Sequence, residues 1–276
     1  MFSKVLKHDF ISTGRIMGVI YLIVAGITAV TLGSHYLKKG EEMAVGEALG
    51  VAALLLVSMC MFILTAVVVL TDFHKSLYGE RGYLTFTLPV KSWKILLSKV
   101  LVSTTWFVIA LAALFGSMWV TVVVLKEEVL GENYDTIMGL ISQFSTVKVS
   151  SFVASVVAKI IVFFVEFAFF TVTIFFTSTL ANTRLFQKRS VLWTIVLFIP
   201  IAVVTVKLAE FINERLVFAI FFVDDKIKLV TDNFEYQSLL LNNNGIDIGE
   251  LFVYFILGAG IFVATHYIMS KKVNIK

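Results

Sequence analysis

Polar residues along this chain are confined to a few stretches, and apolar residues fill the lengths between them. Long apolar runs cover about 16–37, 48–71, 100–125, 149–180, 191–206 and 250–270. A helix needs about 20 residues to cross the hydrocarbon core of a bilayer. The runs are unbroken, whereas barrel strands alternate in polarity over segments of about 10 residues. The pattern therefore predicts six membrane-spanning helices. The run 149–180 is longer than a bilayer needs, which predicts a tilted or projecting helix. Pro200 lies inside the fifth run and is expected to kink it.

The charges between the runs give a topology. Basic residues mark 1–15 (Lys4, Lys7, Arg15), 72–99 (Lys75, Arg81, Lys91, Lys94, Lys99), 182–190 (Arg184, Lys188, Arg189) and the tail (Lys271, Lys272, Lys276). These segments hold more than half of the 23 basic residues, but of the 19 acids only Asp9, Asp72 and Glu80. By the positive-inside rule they are cytoplasmic, with both termini inside. The first apolar run is too long for a signal-peptide core and is expected to stay as an anchor.

Three segments carry more pattern than a plain loop. Residues 1–15 set Phe2, Val5, Leu6, Phe10 and Ile11 against Lys4, Lys7, His8 and Asp9. That spacing predicts a short amphipathic helix in the interface, ended by Ser12, Thr13 and Gly14; a frayed polar terminus is the alternative. Residues 72–99 combine their basic load with Tyr78, Tyr83, Phe86, Leu88 and Trp93. Phe73 to Glu80 can form a short helix below the membrane, and force on it would pass into both flanking spans. The alternative is a solvated loop. Residues 207–249 contain LVFAIFFV at 216–223, too short to span, among Glu210, Glu214, Asp224, Asp225, Asp232, Glu235 and Asp247. Short re-entrant helices in the outer leaflet are expected, with a small packed exterior lobe as the alternative.

Composition agrees with a membrane protein. Hydrophobic residues make up 59% and charged residues 15%, with a mean hydropathy of +0.94; soluble domains carry about 25% charged residues. The net charge of +4 comes from basic residues at span ends, which does not point to nucleic acid. The single cysteine, Cys60, allows no intrachain disulfide. No G-x-x-x-x-G-K-[ST], H-E-x-x-H or G-x-S-x-G stretch occurs. His8, His35, His74 and His266 are scattered singly, so no metal site and no catalytic residue is predicted. The fourth run alone carries two ionisable residues well inside it, Lys159 and Glu166. Counting back from Leu180 puts Lys159 at the outer border, where it can snorkel, and leaves Glu166 within the membrane. An intramembrane carboxylate is a functional candidate by default, and a structural hydrogen bond between helices is the bland alternative.

Residues 73–101 resemble the first intracellular loop of type-2 (type V fold) ATP-binding-cassette exporter permeases. The resemblance rests on Phe73, Glu80, GYLTFTLPV at 82–90 and ILLSKVL at 95–101, and the layout of the whole chain is similar. It implies an all-α integral membrane protein forming a single transmembrane domain over 1–276, with no nucleotide-binding domain. Residues 1–15 would hold the connecting helix, 72–99 the coupling loop, and 207–249 the exterior segment with its re-entrant helices. The coupling residues would be Phe73, His74, Lys75, Leu77, Tyr78, Glu80, Arg81 and Tyr83, with Arg184, Lys188 and Arg189 as a second contact. The implied partners are a separate ATPase subunit in two copies, which holds ATP and Mg2+, and a second copy of this chain or a paralogous permease. The bacterial plasma membrane is the implied location. Walls rich in Phe, Val, Leu and Met suit a hydrophobic or amphipathic cargo. The layout resembles bacterial exporters of antimicrobial or cytolytic peptides, such as phenol-soluble modulins and lantibiotics. Export of lipophilic drugs or lipids is the near alternative. A secondary transporter centred on Glu166 and a non-transporting scaffold or sensor are alternatives of other classes.

Overall fold

The computed structural model describes residues 2–37, 45–79, 91–130, 149–183, 190–213, 215, 218–223, 226–232 and 244–271. Six helices and three short strands follow in order: α1 (Phe2–Leu37), α2 (Val45–Leu77), α3 (Ser92–Leu130), α4 (Val149–Ala181), α5 (Ser190–Asn213), β1 (Ala219–Val223), β2 (Lys226–Val230), β3 (Asn244–Asp247) and α6 (Ile248–Lys271). Each of the six helices contains a stretch long and apolar enough to cross a membrane. The protein is thus a multi-pass, almost wholly helical membrane protein. Lipid leaves a backbone no water to bond, so continuous helices are the stable solution for such runs. Buried hydroxyls follow the same constraint. Thr65, Thr171, Thr173 and Thr265 each donate to a carbonyl four residues earlier on their own helix, at 2.7–2.9 Å.

By packing, the chain forms two compact units. Residues 7–69 and 105–147 make one; residues 1–6, 70–104 and 148–276 make the other.

The first unit is built on Trp106 of α3. Its indole stacks on Tyr21 of α1 at 5.8 Å and 22°, and its Nε1–H donates to Thr13 Oγ1 at 2.9 Å. The Tyr21 hydroxyl donates to the Trp106 carbonyl at 3.0 Å. A Cβ added to Gly14 would lie 3.4 Å from the indole ring, so α1 packs at contact distance on Trp106 here. Beyond the tryptophan, Val24, Met61 and Ala110 form a small core, with Val57 and Phe62 packed on it.

In the second unit α4 is central, packing most extensively on α6 and then on α5. Phe169 lies 5.0 Å from Tyr254 and against Gly258, and Phe170 meets Phe198 edge-on at 5.6 Å. The strands form an antiparallel sheet in the order β2-β1-β3, with Ala219 opposite both Val230 and Asp247. Ala219, Phe221 and Val230 make its buried core. The amides of Ile248 and Gly249, at the start of α6, both donate to the Phe218 carbonyl at 2.9 Å.

Three expectations need correction. The amphipathic 1–15 segment is not a separate helix, because α1 runs unbroken from Phe2 to Leu37. Thr13 bonds back to the Asp9 carbonyl within the helix, and Gly14 serves packing rather than termination. Residues 73–77 continue α2 instead of forming a short helix of their own. Residues 219–223 are a strand, not a re-entrant helix, since their backbone pairs with Lys226–Val230 on one edge and Asn244–Asp247 on the other. That outcome matches the packed-lobe alternative. The fifth span continues through Pro200.

Removing the indole should show how far the first unit depends on it. Trp106→Ala is expected to lower stability by about 3–5 kcal/mol. Trp106→Phe keeps an aromatic ring and loses chiefly an interhelical hydrogen bond, worth about 0.6 kcal/mol within membranes. Equal losses for the two variants, measured by reversible unfolding in mixed micelles, would contradict this account.

Candidate functional site

The two ends of the basic loop meet at a built anchor. Asp72, on the last turns of α2, and Lys99, two turns into α3, form an ion pair with Nζ to Oδ2 at 2.6 Å. The side chains are 22% and 7% exposed, so water screens the pair weakly. A buried charge is retained at tolerable cost only when paired. The loop 72–99 is therefore clamped at its base.

The next residues tie this base to α4. Phe73 is fully buried and stacks on Phe175 at 3.8 Å and 5°. The Tyr78 hydroxyl donates to Thr179 Oγ1 at 2.8 Å, and Thr179 Oγ1 donates in turn to the Phe175 carbonyl at 2.7 Å. Burial pushes the Tyr78 phenol above its ordinary pKa, so it remains a donor throughout the physiological range. His74 lies within hydrogen-bonding reach of Asn182, whose Nδ2 donates to the Ser178 carbonyl at 2.7 Å. The amides of Tyr78 and Gly79 both bond the His74 carbonyl and close the end of α2. A Cβ at Gly79 would lie 3.0 Å from the Lys75 carbonyl, a tight contact that a larger residue would have to relieve. Three helices, α2, α3 and α4, are joined at one place by an ion pair, a ring stack and a hydrogen bond.

This changes the roles assigned from sequence. Phe73 and Leu77 are fully buried, so they hold the base and offer no docking surface. Tyr78 is engaged with α4. Lys75, Lys91 and Trp93 are exposed, and the Lys94 ammonium lies 5.5 Å from the Trp93 ring centre. These four form the basic and aromatic surface at the two loop ends. Glu80, Arg81, Tyr83, Arg184, Lys188 and Arg189 lie outside the described residues.

The second candidate is Glu166 on α4. Its electrostatic neighbour is Glu250, in the first turn of α6, and Glu250 also hydrogen-bonds Tyr254. Glu166 is half-buried and sits about 10 Å along the helix from Lys159, which begins the span. Two carboxylates and a phenol thus gather on the α4–α6 face. Among the described residues no group of three or more His, Cys, Asp or Glu is arranged to hold a metal ion.

Sequence reasoning missed Asp72–Lys99 as a pair, and it missed Phe175, Thr179, Asn182, Glu250 and Tyr254. Opposite charges at the two mouths of one loop were a usable signal for the first. No local signal links α4 to Tyr78 or to Glu250. The chain matches no family model, no curated protein and no solved structure.

Breaking the clamp is expected to be costly. Lys99→Met leaves Asp72 without its cation and should lower stability by about 3 kcal/mol, whereas Lys99→Met combined with Asp72→Leu should recover most of that. Unfolding in mixed micelles measures both. No recovery in the double variant would mean that the pair is not the main role of Lys99.

Proposed function

We propose that this chain is the permease subunit of an ATP-driven exporter of the ATP-binding-cassette type, moving amphipathic or hydrophobic peptides. The observation that carries the reading is the anchored loop. A loop whose base is joined to three spans transmits a push at its tip into the bundle, and a loosely tethered one does not. Packed cores carry displacement because they resist deformation. The exposed Lys75, Lys91 and Trp93, with the half-buried Lys94, supply charge and aromatic area for a docked subunit, and aromatic residues are enriched at interface hot spots. The six spans and the resemblance over 73–101 support the same reading.

In this scheme two copies of the chain, or one copy and a paralogous permease, pair with two ATPase subunits in a bacterial plasma membrane. Both termini and the basic loop lie in the cytoplasm. ATP and Mg2+ are bound by the partner. Glu80 and Tyr83 extend the docking surface, and Arg184, Lys188 and Arg189 form its second contact. The apolar span faces suit a peptide or a lipophilic drug that enters from the membrane.

A second reading draws on Glu166. Its approach to Glu250 and Tyr254 is the arrangement expected of an ion-coupled secondary transporter, in which intramembrane carboxylates exchange protons or cations.

The test is co-expression with an ATPase subunit encoded beside this chain, followed by gentle extraction. A stable complex is expected whose ATPase rate responds to amphipathic peptides. Glu80→Ala and Tyr83→Ala should cut the peptide response at least fivefold while the spans remain folded, by analogy with interface hot spots. Full transport by both variants would contradict the coupling role. Loss of transport in Glu166→Gln with no ATPase bound would favour the second reading.

A further inference from the structure

A groove runs between the end of α5, Phe218 just before β1, and the start of α6. It is lined by Ile212, Phe218, Gly249, Phe252, Val253 and Ile256 among others, all apolar, and it encloses about 360 Å³. That falls within the range of small-ligand pockets, about 300–1,000 Å³. From Gly249 to Leu257 it follows α6 for about 12 Å. The groove lies on the two spans with the least cover from the rest of the chain: only 6% of the α5 span and 11% of the α6 span are buried. Phe218, Phe252 and Ile256 are exposed along it. Its lining offers almost no polar surface, which suits an apolar ligand.

In the chain a cation lies between two of its lining residues, Ile212 and Phe218. Arg215 follows α5, its amide bonds the carbonyl of the groove residue Ile212 at 3.1 Å, and its guanidinium lies 4.9 Å from the Phe211 ring centre. Glu210 pairs with Lys207 at 2.5 Å, and Glu250 bonds Tyr254. The Arg215 fork is the group suited to a phosphate at this position.

We propose that this groove is a binding site for an anionic phospholipid, one acyl chain lying along α6 between Phe218 and Ile256 and the phosphate resting on Arg215. An amphiphile with an anionic head matches both the apolar lining and the exposed Arg215 that follows Ile212 in the chain. The site is independent of the export reading.

The experiment is native mass spectrometry of the full chain in detergent, incubated with equal amounts of phosphatidylglycerol and phosphatidylcholine bearing the same acyl chains. One retained phosphatidylglycerol is expected, favoured about tenfold, the size of one charge-assisted contact. Arg215→Gln should bring the two lipids within twofold of each other. Ile256→Trp, which fills the groove, should remove both, and Ile212→Gln serves the same purpose if that variant does not fold. Equal retention of the two lipids by the unaltered protein would overturn the proposal. So would an unchanged preference in Arg215→Gln, or full retention in the groove variants. Lipid-free dimers that take up lipid only on dissociation would overturn it in favour of a second copy as occupant.

Discussion

The buried pair between Asp72 and Lys99 is the interaction on which the junction of α2, α3 and α4 depends. Two charges at the base of a loop have been taken largely out of water, and each makes the other tolerable. Their position fixes where α2 ends and α3 begins to pack. Phe73 on Phe175 and Tyr78 on Thr179 then bind that junction to α4.

The rest of the second unit follows from α4. One of its ends serves the loop base through Phe175, Thr179 and Asn182. Nearer its other end it carries Glu166 and Phe169 against Glu250, Tyr254 and Gly258 of α6. A helix with an anchored loop at one end and a cluster of acids towards the other is a physical path between two polar regions of the bundle. Interhelical polar contacts of this kind contribute modestly to stability within a membrane. Their value lies in fixing which faces of the helices meet.

The six spans were legible because lipid leaves so little freedom: a run of about 20 apolar residues has one stable form. The ends of those spans were less legible, for reasons particular to each site. Gly14 reads as a helix breaker, yet it lies inside α1 and packs on Trp106. Phe73 and Leu77 stood among the coupling residues that the resemblance implies, but they are buried. The segment AIFFV is equally apolar as helix or strand, and only its pairing with KIKLV and NGID decides. Lys159 and Glu166 were visible as ionisable residues in an apolar run. The neighbour that gives Glu166 its setting lies on another helix more than eighty residues away, and no local pattern points to it.

The central claim is that an ATPase drives this bundle through the clamped loop. Transport of a labelled amphipathic peptide into inside-out vesicles that contain the chain and its ATPase subunit tests it most directly. Uptake that requires ATP, persists when the proton gradient is collapsed, and falls on Lys99→Met is the predicted result. Uptake indifferent to ATP but abolished by collapsing the gradient would contradict the account and move the working site to Glu166.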